Sequence, residues 1–295
     1  MLSVVIPLYQ GEAHLEELLE ALEQQVSVPP FEVVVADNGS TDAGPSIARS
    51  WSGRLPLRVV DASARRGQSA ARNLGAKAAR YESLVFLDQD DVPATDYLAR
   101  IGEALQTSPV VAARMELTRL NVGWRSTVRS LAQTESLASG PPYEWAYGGS
   151  LAMLRRAFFA VEGFDESITP AGEDEDLCWR LQRAGFSLVF ASQAVLHYRL
   201  PTRWRDLFRQ GFRYGKAQRV VDAKHAVAVR PGYLPRQLLT RLLIDGALSL
   251  VSLRIEERHR RAFLAGRRLG LLRARNVNSV GRSEPQGVPR GSHDR

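Results

Sequence analysis

A lone cysteine among 295 residues excludes an internal disulfide framework and suits a reducing compartment. The pattern around it, Asp176-Leu177-Cys178-Trp179-Arg180-Leu181, is helical, so Cys178 reads as a small buried residue rather than a nucleophile. No charged leader precedes the apolar run at Met1-Leu2-Ser3-Val4, and a secretory signal is not expected. The apolar stretch Leu234–Leu253 is broken by Arg236, Arg241 and Asp245, which argues against a transmembrane span. No Gly-x-Gly-x-x-Gly follows the first strand pattern and no Gly-x-x-x-x-Gly-Lys is present. Dinucleotide-dependent dehydrogenases and P-loop nucleotidases are thereby disfavoured.

Acidic charge is also scarce in one part of the chain. Residues 1–197 carry 17 Lys/Arg against 25 Asp/Glu, whereas residues 198–275 carry 19 against 5. The two parts should therefore meet different electrostatic partners. Leu238, Leu239, Leu242, Leu243, Leu248 and Leu250, with flanking Arg, suggest amphipathic helices lying on an anionic membrane face. A helical appendage packed on the rest of the chain, or a dimer contact, is the alternative. No nucleic-acid-binding motif accompanies the charge, and nucleic acid is not expected as a partner.

The first ninety residues alternate between two periods. Strand patterns at Ser3–Leu8, Phe31–Ala36, Leu57–Val60 and Leu84–Leu87 are separated by helical patterns, including one over Gln68–Ala79. Repeated β-α units predict an α/β fold with a mostly parallel, doubly wound sheet, which binds ligands beyond the carboxyl ends of its strands. Glu173–Ala184 reads as a helix, and Phe186–Phe190 as a strand leading to His197. The expected division is a catalytic domain over 1–200, a basic helical extension over 201–275 and a disordered tail over 276–295.

The fourth strand ends in Asp88-Gln89-Asp90-Asp91, three carboxylates within four residues. A divalent cation takes such oxygen ligands and relieves their repulsion; a solvated acidic turn is the bland reading. Asp37 ends the second strand and should share the same crevice, where it could accept hydrogen bonds from a base or ribose, or cap the next helix. Arg65 and Arg72 flank the start of the third helix, a suitable place for an anion. Glu173-Asp174-Glu175-Asp176 exceeds what capping a helix requires, and one of the four is placed to serve as a general base. His197, at a distant strand end, could add a third metal ligand.

Ser3-Val4-Val5-Ile6-Pro7, Val35-Ala36-Asp37-Asn38-Gly39-Ser40-Thr41-Asp42, Ala71-Arg72-Asn73-x-Gly75, Phe86-Leu87-Asp88-Gln89-Asp90-Asp91, Gly163-Phe164-Asp165-Glu166 and Gly172-Glu173-Asp174-Glu175-Asp176-Leu177-x-Trp179-Arg180 occur in that order. Together they resemble the inverting family 2 glycosyltransferases of the GT-A fold, over roughly Leu2 to Tyr198. The resemblance implies a metal-dependent hexosyl- or deoxyhexosyltransferase, of rhamnosyl or polysaccharide type, with a central sheet covered by helices on both faces. Its donor would be a UDP-, dTDP- or GDP-sugar, its acceptor a glycan, a lipid-linked molecule or a small molecule, and its cofactor Mn²⁺ or Mg²⁺. Asp37 would contact the base, and Pro7, Tyr9, Arg65, Arg72, Asp88 and Gln89 the rest of the nucleotide sugar. Asp90, with Asp88 and His197, would bind the metal through the family's Asp-x-Asp motif. Asp174 would be the catalytic base, with Glu173 the neighbour that could take its place. Gly148 and Gly149, after Trp145 and Tyr147, would let the sugars approach the backbone. The implied location is the cytoplasm, at the inner face of the cell membrane. A nucleotidyltransferase, or an inactive glycan-binding protein on the same fold, is the competing reading.

Overall fold

The computed structural model describes residues 1–121, 123, 132–169, 171–227 and 234–274. The tail expected to be disordered, 276–295, lies outside them.

Eight strands form one sheet: β1 (Leu2–Leu8), β2 (Phe31–Asp37), β3 (Leu57–Asp61), β4 (Ser83–Phe86), β5 (Val92–Pro93), β6 (Val110–Glu116), β7 (Leu151–Leu154) and β8 (Leu188–His197). Their spatial order is β3-β2-β1-β4-β7-β6-β8-β5, and all but β7 and β5 run in one direction. The connecting helices are α1 (Leu15–Glu23), α2 (Gly44–Ser50), α3 (Gln68–Ala78), α4 (Tyr97–Thr107), α5 (Arg155–Ala160) and α6 (Glu173–Arg183). After the sheet follow α7 (Trp204–Lys224), α8 (Pro235–Val251) and α9 (Ile255–Arg273).

Every residue of β1 is buried. The strand is apolar apart from Ser3, whose hydroxyl donates to Glu32 at 2.7 Å, because both of its faces are covered. Leu2, Val4, Ile6 and Leu8 pack with Leu15, Leu18, Leu19 and Leu22 of α1 on one side. Val5 points the other way, into a second core with Ala76, Phe158, Leu177 and Trp179. Cys178 lies fully buried in that second core. Because β1, β2 and β4 are parallel, Leu8, Asp37 and the Asp88 turn emerge on the same edge of the sheet.

The basic C-terminal helices are packed against the rest of the chain. Lys224 of α7 pairs with Asp165 and Asp176, each at 2.6 Å, and His225 places Nε2 2.8 Å from Asp176. Gln218 donates to Glu175 at 3.1 Å. Helices α7 and α9 touch backbone to backbone through Gly211, Gly215, Gly266 and Gly270, where a Cβ would run into a carbonyl oxygen of the facing helix. Among the described residues no helix is long and apolar enough to cross a membrane.

Gly266 and Gly246 make a matched pair for a packing test. A Cβ at Gly266 meets the backbone of α7, whereas one at Gly246 meets nothing within 4 Å. Urea unfolding should show Gly266→Ala losing about 1–3 kcal/mol through overpacking. Gly246→Ala should be neutral or gain up to about 1 kcal/mol from helix propensity.

Candidate functional site

The carboxyl edge of the sheet opens into a cavity of about 900 Å³. Its floor and near wall come from Pro7, Tyr9, Arg72, Asp88, Gln89 and Asp90, and its far side from Gly148, Gly149, Glu173 and Asp174. These ten site residues expected from the sequence are thus brought together.

At the centre lies Arg72, 2% exposed. Its Nη2 donates to Asp88 at 2.6 Å and its Nη1 to Glu173 at 3.0 Å, so one guanidinium joins the β4 turn to the start of α6. Burial disfavours its charge, but the two carboxylates beside it raise its pKa and keep it a cation. Gln68 also donates to Asp88, at 2.9 Å.

Gly148 and Gly149 lie close against Arg72 and Asp88. A Cβ on Gly148 would lie 2.8 Å from Arg72 Nη1, and one on Gly149 2.6 Å from the Asp88 carboxylate. Arg72 and Asp88 occupy the space that the missing side chains free, and both glycines line the cavity. Trp145 and Tyr147 meet edge to face at 5.0 Å, and both line the cavity.

Asp174 and Glu173 separate clearly in environment. Glu173 is buried and held by Arg72. Asp174 is half-buried, accepting from Glu175 N–H at 2.8 Å and more distantly from Gly148 N–H at 3.3 Å. Burial, followed by the charge of Glu173, lifts the Asp174 carboxyl to about 7, against the pull of its hydrogen bond and of Arg72. A carboxyl there is poised to take a proton near neutral pH.

On the other side, burial and the charge of Asp88 lift Asp90 to about 6. Asp91 is fully buried, and burial and its acidic neighbours hold its carboxyl far above the usual range. It accepts from Arg199 N–H at 2.9 Å, which fastens the chain after β8 to the acidic turn. Gln89 clasps the end of β1 from both sides, accepting from Tyr9 N–H at 2.8 Å and donating to Tyr9 carbonyl at 3.0 Å.

Three expected site residues stand outside the cavity lining. Asp37 accepts from Ser40 N–H at 2.9 Å and shapes the turn after β2, while its neighbour Asn38 reaches the cavity. Arg65 is exposed and pairs with Glu166 at 2.8 Å; Arg66 lines the cavity instead. His197 Nδ1 sits 2.7 Å from Glu116, across the β6–β8 register. Hydrogen bonds from Thr118 and His197 outweigh burial and bring Glu116 down to about 2. Among the described residues no three His, Cys, Asp or Glu side chains converge as a closed metal site. From the acidic turn Asp88, Gln89, Asp90 and Asp91 all line the cavity; Gln89 is engaged by Tyr9 and Asp91 by the Arg199 N–H.

Sequence reasoning missed the wall supplied by the C-terminal helices: Gln210, Arg213, Tyr214 and Gln218 of α7 and Phe263 and Arg267 of α9. Helical periodicity shows that such residues share faces but not which distant cavity they meet.

Removing the cation at the centre leaves two carboxylates without their shared partner. Arg72→Met should cost about 3–5 kcal/mol in urea unfolding, the usual penalty for breaking a buried pair on one side. Arg72→Lys should recover only part, because an ammonium lacks the fork that reaches both partners.

Comparison with known proteins agrees with this geometry. The family model described as Glycosyl transferase family 2 matches residues 3–161, and that of Glycosyl transferase family group 2 matches residues 83–255. The succinoglycan biosynthesis protein ExoA of Rhizobium meliloti (strain 1021) is 31% identical over 234 residues, covering 75% of this chain and 70% of that protein. Chondroitin synthase of Escherichia coli is 27% identical over 241 residues, but this chain spans only 35% of its length. Among solved structures, the mannosyltransferase PcManGT from Pyrobaculum calidifontis, in complex with GDP-Man and Mn²⁺, superposes with a TM-score of 0.67 at 21% identity, over 94% of this chain and 86% of that one. The matched fold, the ordered motifs and the acidic cavity they build place this chain in glycosyl transferase family 2, as a glycosyltransferase of the GT-A fold.

Proposed function

We propose that the protein moves a sugar from a nucleotide-diphosphate donor to an acceptor hydroxyl in one displacement that inverts the anomeric carbon, with Asp174 as the base. The observation that carries this reading is that Asp174 and the Asp88–Asp90 turn line one cavity, with Arg72 joining Asp88 to Glu173 beside Asp174. The acceptor oxygen forms its bond to the anomeric carbon as the bond to the diphosphate breaks, and the electron pair leaves with the diphosphate. The acceptor proton passes to the Asp174 carboxylate, whose affinity near pH 7 suits the task. Glu173, committed to Arg72, holds α6 in place rather than accepting the proton.

A divalent cation, Mn²⁺ or Mg²⁺, fits the donor side. Asp88 and Asp90 supply hard oxygen donors, and burial together with the neighbouring Asp88 raises Asp90, a carboxylate that a cation there would stabilise. Such ions are commonly held by one or two carboxylates together with substrate phosphates, so a closed protein cage is not required. When bound, the cation neutralises charge on the departing diphosphate. Pro7, Tyr9, Gln89 and Arg72 would frame the nucleotide sugar, with Asp37 and Arg65 acting on it only through the neighbouring loop. His197 would reach the metal only by leaving Glu116.

The structures of PcManGT with GDP-Man and Mn²⁺ and of S. aureus TarS with UDP-GlcNAc support a nucleotide-sugar donor. The names of ExoA and of chondroitin synthase favour a growing polysaccharide, free or lipid-linked, as acceptor. The basic C-terminal helices favour a working position at an anionic membrane face on the cytoplasmic side.

The assignment is tested by Asp174→Asn in an assay of nucleoside diphosphate release. Turnover should fall about 10²- to 10⁴-fold, the usual contribution of a general base, while thermal shift by UDP- or GDP-sugars with Mn²⁺ persists. The variant should also be at least as stable as the native protein at pH 8. Asp174 binds a proton in the folded state between its ordinary 3.8 and about 7, so its ionisation above that window costs stability that Asn does not lose. Retained turnover would remove Asp174 from the mechanism.

A further inference from the structure

Helix α8 buries few of its apolar residues. The face it turns toward α9 contains Leu238, Ser249 and Asp245, the last 1% exposed and paired with Arg261 at 2.7 Å and with Arg268. The face it turns to solvent carries Leu239, Leu243, Ile244, Leu248, Leu250 and Val251, with Leu243 65% and Leu250 79% exposed. A helix on the surface of a globular protein normally does the reverse. So many exposed apolar side chains on one helix mark an interaction surface. Just beyond the helix, Leu253 is 102% exposed and extends the patch.

The charge around the patch selects its occupant. Arg236 and Arg241 are exposed on α8, and Arg254 is exposed just after it. The only acid on α8 is the buried, paired Asp245. A second copy docked isologously through α8 would set arginines against arginines. The tail 276–295 has three Val and no Leu, Ile, Phe or Trp with which to cover the patch. An anionic bilayer answers both features at once, taking the leucines below its headgroups and pairing its phosphates with the arginine rim.

The geometry points to the outward face of α8 as a membrane-docking surface for anionic lipid. This rests on the membrane-face part of the proposed function and names the surface responsible. It also bears on the acceptor, since α9, which carries α8, lends Phe263 and Arg267 to the cavity wall. A bilayer under α8 lies one helix away from the cavity, where a lipid-linked acceptor would be presented.

The test is co-sedimentation of the full chain with vesicles of phosphatidylcholine, alone or mixed with phosphatidylglycerol. Three proteins are compared: the native chain, Leu243→Glu/Leu250→Glu and Arg236→Gln/Arg241→Gln. The native chain should bind the mixed vesicles and leave the neutral ones. The leucine pair should weaken binding at least about tenfold, as expected for two apolar side chains withheld from the bilayer. The arginine pair should weaken it and flatten its dependence on salt. All three should keep the thermal shift given by nucleotide sugars, since none of the altered residues lines the cavity. If the native chain binds and the leucine variant binds equally well, the α8 assignment fails while the membrane reading stands. If the native chain ignores anionic vesicles, both fail and sugar transfer is untouched. A native dimer that the leucine variant converts to monomer, without lipid binding, would overturn the proposal in favour of a second copy.

Discussion

The guanidinium of Arg72 lies at the bottom of the cavity, out of water, with a carboxylate on each side. Burying that charge is costly unless both ends are matched, and the fold matches them from residues far apart in sequence. Asp88 arrives from the end of a parallel strand and Glu173 from the first residue of α6. Gly148 and Gly149 follow from the same arrangement, because side chains there would collide with Arg72 and Asp88. Asn73, the next residue along α3, exchanges hydrogen bonds with the Phe164 backbone at 2.9 Å and donates to Glu166 at 2.8 Å. Residues that look like independent motifs in the sequence are therefore one interlocked support.

That support gives two neighbouring carboxylates different environments. Glu173 is compensated by Arg72, whereas Asp174, one residue on, faces the cavity and carries the repulsion of Glu173 in its raised proton affinity. The first turn of α6 is also braced from outside. Helix α7 reaches it through Gln218 on Glu175 and through His225 and Lys224 on Asp176. The basic C-terminal helices thus contribute to the site as well as to surface charge.

Most of the sheet was legible because buried parallel strands are continuously apolar and the helices between them carry leucines at helical spacing, as α1 does. Asp88, Asp90 and the α6 carboxylates were legible because acid at strand ends and in runs exceeds what stability asks for. Less visible was which side chain turns away. Asp37 is engaged by its own turn, Arg65 by Glu166 and His197 by Glu116, local pairings that residue type alone does not reveal. The α7 and α9 residues lining the cavity were also hidden, since the glycine contacts that set their position join segments about fifty residues apart, as Gly215 and Arg267 are. The leucines of α8 were visible in the sequence, but only packing shows that Leu238 is buried with Asp245 and Ser249 while Leu239, Leu243 and Leu250 are exposed.

The account turns on a base whose proton affinity its surroundings have raised. Its most direct test is the pH dependence of kcat/KM for nucleoside diphosphate release, followed from about pH 5 to pH 9 in the native protein and in Asp174→Asn. The native rate should rise along a single limb with its midpoint near the raised Asp174 value of about 7, and the variant should lack that limb. An unchanged limb in the variant, or a native rate flat across neutrality, would contradict the assignment of Asp174 as the group that takes the acceptor's proton.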